Sequence, residues 1–135
     1  MNTSPILITE REAALPATQD YRDIITLLCR EISDLHFPQQ AKALATSALE
    51  REDLEPTYVG RGLAVPHARV NGLPAAAVYI AHSAPSIRWA EEEADTVILL
   101  AVPAERPELY LQLLSKIMRW RMKGLCPAEL YKLLQ

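Results

Sequence analysis

The sequence predicts a layered α/β domain, with helices covering both faces of a sheet. Three observations carry that prediction: a helix-period apolar pattern near the N-terminus, a continuous apolar run of strand length at "DTVILLAVP", residues 95–103, and a return to helical spacing after Pro107. The run is bounded by a charge and a proline, as a central strand buried on both faces should be. At 135 residues, half of them apolar and 23% charged, the chain is long enough to bury a core without disulfide or metal staples. A single domain spanning residues 1–135 is expected, without internal repeats, low-complexity segments or linkers.

Each element has its own signal. A short apolar segment lies at Ile6 to Ile8, and Thr18 or Asp20 is placed to cap a helix. That helix carries Tyr21, Ile24, Ile25, Leu28, Ile32 and Leu35 on one face, and "HFP" breaks it. A second helix is expected from about Gln39 to Glu52, with Ala41, Leu44, Ala45, Ala48 and Leu49 on one side. Leu54 to Gly62 reads as loop, and "LAVP" as a very short strand ending at Pro66. From Leu73, "LPAAAVYIAH" reads as a strand, and "APSIRWAEEEA" as a turn with a brief strand and an acidic, exposed tip. A helix follows from Pro107 to about Lys123, with Tyr110, Leu113, Leu114, Ile117 and Met118 on its apolar side and Gly124 as C-cap. A last short helix runs from Pro127 to the end.

Composition excludes several function classes. The net charge of −3 supplies no electrostatic footprint for nucleic acid or an anionic membrane. Cys29 and Cys126 form no CxxC and no paired framework, which fits free thiols in a reducing compartment. The N-terminal stretch lacks a basic region followed by a long apolar one, and no apolar run reaches spanning length. A cytoplasmic protein without direct membrane insertion is expected. His36, His67 and His82 lack metal-ligand spacing, and a GxxxxGK[ST] loop is absent, so neither a metal nor a nucleotide cofactor is expected. "EEE" at residues 91–93 reads as a solvated loop, and His36 and His82 as residues at a helix end and a strand end.

The stretch with chemical content is "VGRGLAVPHARVNG", residues 59–72. Gly60 and Gly62 permit backbone conformations other residues avoid, and a glycine turn can aim amide hydrogens at an anion. Pro66 stiffens the approach to His67 and biases Val65 towards an extended conformation. A histidine held there, mostly neutral at neutral pH, keeps a lone pair that can attack phosphorus without a separate base. Phosphoryl transfer then needs positioning and positive charge, available from Arg51, Arg61 or Arg69. The same residues also describe a structural turn histidine among solvated arginines.

Beyond the single histidine, "ALEREDLEPTYVGRGLAVPHARVNGL" resembles the active-site segment of the enzyme IIA domains of the bacterial phosphoenolpyruvate:sugar phosphotransferase system, of the fructose, mannitol and nitrogen-regulatory type. The matching features are Arg51 and Glu52, Thr57, Gly60 and Gly62, then Pro66, His67, Ala68 and Arg69. The likeness continues through "SIRW", "DTVILLAVP" and "LQLLSKIMR", from about residue 20 to 119.

What the resemblance implies is a mixed β-sheet between helices and a phosphocarrier function. His67 would accept a phosphoryl group from an HPr-like phosphocarrier protein and pass it to an EIIB domain, or present it as a regulatory signal to a transporter or regulator. Arg51 would hold the phosphoryl group, with Thr57, Gly60, Gly62 and Arg69 forming the site. Two departures stand out. Where the family usually has a second histidine this chain has Tyr110, and "RWRMKGLCPAELYKLLQ" compresses two helical elements into a short tail. A phenol donates a hydrogen bond to a phosphoryl oxygen but does not replace a charged imidazole. The alternative is a degenerate regulatory module, poorly or not phosphorylated, acting through protein contacts. Leu63, Val65, Val70 and Leu73 are the candidate apolar contacts around His67.

Overall fold

The computed structural model describes residues 6–135 apart from Thr18. The chain runs β1 (Leu7–Glu10), α1 (Tyr21–His36), α2 (Ala41–Leu54), β2 (Tyr58–Gly60), β3 (Leu63–Ala64), β4 (His67–Val70), β5 (Ala77–Trp89), β6 (Glu92–Pro103), α3 (Glu108–Met122) and α4 (Pro127–Leu134). Six strands form one mixed sheet in the order β1-β5-β6-β3-β2, with β4 also pairing with β6. The β5–β6 and β2–β3 pairs are antiparallel, whereas β1 runs parallel to β5, and β3 and β4 run parallel to β6.

Side-chain alternation along the central strands divides the core into two layers. Val97, Leu99 and Ala101 of β6 face Ile24, Ile25, Leu28 and Ile32 of α1 and Leu44 and Ala48 of α2. Ile98, Leu100 and Val102 face Leu113, Ile117 and Trp120 of α3 and Leu130 and Leu134 of α4. All nine residues of the apolar run except Asp95 are buried, so helices do cover both faces. Each fully buried Val, Leu or Ile side chain contributes about 1.5–3 kcal/mol, and β6 supplies five of them to the two layers.

Asp20 caps α1, its carboxylate accepting from the Arg22 amide at 2.9 Å; Thr18 lies outside the described residues. At the other end Ser33 Oγ donates to the Phe37 carbonyl at 2.6 Å and accepts from the Gln40 amide at 3.2 Å. That hydroxyl holds the break at "HFP" and sets the approach to α2, and an Arg22–Asp53 ion pair ties α2 back to α1. The second helix lies two residues later than its sequence pattern implies.

The strands differ more from expectation. β2 lies inside the segment read as loop, and "HARV", to which the sequence pattern assigns no element, is a strand, β4. The strand expected from Leu73 begins at Ala77 and runs on through the supposed turn to Trp89, while β6 begins at Glu92 rather than Asp95. A register irregularity between His82 and Ile87 accommodates Pro85, so two long strands form one bulged hairpin. His82 accordingly lies within β5 rather than at a strand end. The compressed tail does hold two helical elements, the last turn of α3 and α4.

Candidate functional site

The site lies where β4 passes between the end of α2 and the first turn of α3. His67 opens β4, pairing with Leu100 of β6, and is only 3% exposed. It is therefore at a strand end but core-facing. Its Nδ1 is 3.5 Å from the Val65 carbonyl. A carbonyl can only accept, so Nδ1 carries the proton and Nε2 keeps the lone pair. Nε2 is buried and has no hydrogen-bond partner. Burial, reinforced by the positive charges of Arg51 and Arg69, pushes the His67 pKa down to about 4 despite the Val65 contact. The imidazole is thus neutral and nucleophilic across the physiological range.

Tyr110, in the first turn of α3, stacks on His67 with ring centroids 4.0 Å apart and planes 28° apart. The guanidinium of Arg69, two residues along β4 and on the same face as His67, sits 5.2 Å from the Tyr110 ring centroid. Such contacts contribute about 0.5–1.5 kcal/mol for the ring pair and about 0.5–1 kcal/mol for an exposed cation over a ring. The Arg69 amide donates to Ser47 Oγ of α2 at 2.9 Å. Arg51, half-buried in the last turn of α2, donates from Nη1 to the Glu55 carbonyl at 2.7 Å.

Thr57 and Glu52 work as a unit. The Glu52 carboxylate is 3% exposed and accepts from the Thr57 amide and hydroxyl, both at 2.7 Å, and from Trp89 Nε1 at 3.1 Å. Three donors on one buried carboxylate satisfy the requirement that buried charge be bonded. Thr57 in turn accepts, through its carbonyl, from the Val65 amide at 3.0 Å. A bonded path thus runs from β5 through the end of α2 to Val65, two residues before His67. The hydroxyl of Thr57 is committed to Glu52. Glu52 was visible in the sequence only as half of an Arg-Glu pair; the cue to its role was the threonine five residues on.

The glycine turn is elsewhere. Gly60, Arg61 and Gly62 have φ of +101°, +53° and +77°, and form the β2–β3 turn. The Gly62 amide donates to the Tyr58 hydroxyl at 2.8 Å, and its carbonyl accepts from Asp95 and Thr96. A Cβ at Gly62 would lie 3.0 Å from the Asp95 carboxylate. Arg121, at the far end of α3 from Tyr110, donates to the Arg61 carbonyl and to Asp95. Leu63 pairs with Thr96 and His67 with Leu100, so the residue that leaves the turn and the histidine meet β6 four residues, about 13 Å of backbone, apart. His67, Arg51, Arg69 and Tyr110 are brought together; Gly60 and Gly62 are not, and the expected phosphate seat is a hairpin turn clamped by Asp95 and Arg121.

A family description, EIIA 2 of the phosphoenolpyruvate-dependent sugar phosphotransferase system, matches residues 7–124. The chain belongs to this EIIA family. Among curated proteins the EIIA chain is 33% identical over 76 residues to the transcriptional regulator ManR of Bacillus subtilis (strain 168), covering 56% of this chain and 12% of that protein. It is 38% identical over 72 residues to the 2-O-alpha-mannosyl-D-glycerate-specific EIIABC component of Escherichia coli (strain K12), covering 50% and 11%. The match thus spans about a ninth to an eighth of these relatives' length. Among solved structures the EIIA fold is shared with the nitrogen regulatory protein IIA-Ntr from Neisseria meningitidis (TM-score 0.58, 20% identity, covering 96% of this chain and 92% of that one). It is also shared with IIA mannitol from Escherichia coli (TM-score 0.57, 20% identity, 96% and 95%) and with the enzyme IIA of mannitol in complex with phosphorylated enzyme IIB (TM-score 0.55, 20% identity, 94% and 92%).

The surface of this EIIA domain around the histidine differs from expectation. Leu63, Val65 and Leu73 are buried and Val70 is partly buried, packed into the two core layers. The exposed large apolar side chains nearest in sequence to the site are Leu54 at 83%, three residues after Arg51, and Leu111 at 65%, immediately after Tyr110. Among the described residues no helix of the EIIA chain is long and apolar enough to cross a membrane, and no three His, Cys, Asp or Glu side chains gather as a metal site.

Proposed function

We propose that this EIIA domain is a phosphocarrier in which His67 accepts a phosphoryl group from a phosphohistidine donor of the HPr kind. The observation that carries the reading is the state of the imidazole: Nδ1–H is turned to the Val65 carbonyl and Nε2 is left with a lone pair and no partner. In the transfer, the Nε2 lone pair forms the new P–N bond while the donor's N–P bond breaks, its electron pair remaining on the donor nitrogen. The proton on Nδ1 stays where it is, facing the carbonyl that balances the charge the ring acquires. Arg51 and Arg69 supply positive charge for the phosphoryl oxygens, and Tyr110 supplies a hydroxyl donor. Thr57 is a positioning residue, acting through Glu52 and Val65.

The onward acceptor is an EIIB-type domain. Kinship with an EIIABC component and a fold shared with an enzyme IIA bound to phosphorylated enzyme IIB support that choice. Leu54 and Leu111, on the elements that carry Arg51 and Tyr110, are the apolar anchors for docking. The site is intracellular in this reading, since its donor is. Use of the phosphoryl group as a signal to a transporter or regulator is the other outlet, and likeness to a transcriptional regulator supports it. A domain that acts by binding alone is favoured by one observation, the burial of Nε2 under Tyr110.

Intact mass after incubation with phosphoenolpyruvate, enzyme I and HPr decides between these. One acid-labile phosphoryl adduct on the native chain, absent from His67→Ala, is expected. Labelling that survives in His67→Ala refutes the assignment, and no adduct on the native chain leaves the binding module.

A further inference from the structure

Within the site, Nε2 of His67 is the one buried side-chain polar atom without a hydrogen-bond partner among the described residues. Buried polar atoms are almost always bonded, and an orphan is tolerated where a function requires it. Against the imidazole face lies the Tyr110 ring, 4.0 Å away between centroids. We propose that Tyr110 is a lid over His67: it shuts the imidazole from solvent in the state seen here and swings clear before any electrophile reaches Nε2.

The lid is built to move. Tyr110 lies in the first turn of α3, which begins without a side-chain cap, and its amide makes only a 3.3 Å bond to the Pro107 carbonyl. Its hydroxyl has no hydrogen bond among the described residues, so the ring is held by packing alone: the stack on His67, the Arg69 guanidinium 5.2 Å from its centre, and contact with the core layer beneath α3. Arg69 is exposed and carries no ion pair among the described residues. Resting on the phosphocarrier reading, an arriving phosphoryl dianion draws that guanidinium off the ring and so releases the lid. The opened ring lies beside exposed Leu111, and the surface offered to a partner changes with the state of His67.

Diethyl pyrocarbonate tests the lid without any phosphoryl donor. It acylates a reachable neutral imidazole nitrogen, forming an N–C bond as the bond to ethyl carbonate breaks, the leaving group departing as ethanol and carbon dioxide. Modification of each histidine is followed by peptide mass in the native chain, Tyr110→Ala and Tyr110→Phe. His36 and His82 lie on α1 and β5, away from the site, and serve as internal standards for an intact fold. The expected result is His67 reacting roughly ten-fold or more faster in Tyr110→Ala, as a mostly closed population is released, with Tyr110→Phe close to native and His36 and His82 unchanged. Equal His67 rates in the native chain and Tyr110→Ala, or equal acceleration in Tyr110→Phe, overturn the lid. Failure of the phosphocarrier reading leaves this readout untouched, and failure of the lid leaves the phosphoryl adduct to be found.

Discussion

At the scale of single residues, the energetics of the site concentrate on one neutral ring. His67 titrates near 6.5 when unfolded and at about 4 when folded. Between those values the unfolded chain binds the extra proton, so stability rises with pH across that window and falls as pH drops through it. The stabilisation is fully present above pH 6.5 and lost towards pH 4. The gap corresponds to ~3 kcal/mol. Urea unfolding at pH 7 and pH 4.5 should therefore show a steeper loss for the native chain than for His67→Gln; identical slopes in the two would mean that the folded imidazole titrates normally. On the proposed phosphocarrier role, the same ring predicts that labelling by a phosphohistidine donor stays flat from pH 8 to about 5.5.

At the scale of elements, Glu52 makes the junction of α2, β2 and β5 depend on one side chain. Glu52→Ala leaves Thr57 and Trp89 donors unpaired in the interior, which should cost about 2–4 kcal/mol, against about 0.5 kcal/mol or less for exposed Glu50→Ala. Denaturation midpoints measure both, and comparable losses would show that the carboxylate network contributes little. Elements also differ in how legibly the sequence announces them. The first helix was plain because six apolar residues keep one period, and β6 because a two-sided burial leaves no polar face. β4 was hidden: four residues containing a histidine and an arginine carry no alternation, and the parallel pairing with β6 that makes them a strand is remote in sequence. The long hairpin was hidden by Pro85, which lies within β5, and by glutamates that begin at its tight turn and run on into β6. In the site, His67, Arg51, Arg69 and Tyr110 were named from residue type and motif, and the structure places them together. Gly60 and Gly62 misled, since positive φ serves a clamped hairpin as well as an anion seat, and sequence does not say which.

At the scale of the whole molecule, the two core layers make a simple reporter of global opening. Cys29 is fully enclosed by α1 and its neighbours, and burial pushes its thiol up to about 12, whereas Cys126 is exposed before α4. A maleimide should add once to the native chain and twice after unfolding, with the second addition tracking the unfolding transition; prompt double addition would show that α1 is loosely docked. The sheet has a further consequence at its margin. β4 pairs with β6 on one side only, and on the other side Ser47 of α2 takes up the Arg69 amide. That hydroxyl occupies the hydrogen-bonding position a strand from another chain would seek. The helix that brings Arg51 to the histidine thus also keeps the strand carrying that histidine from offering a bare backbone edge to another chain.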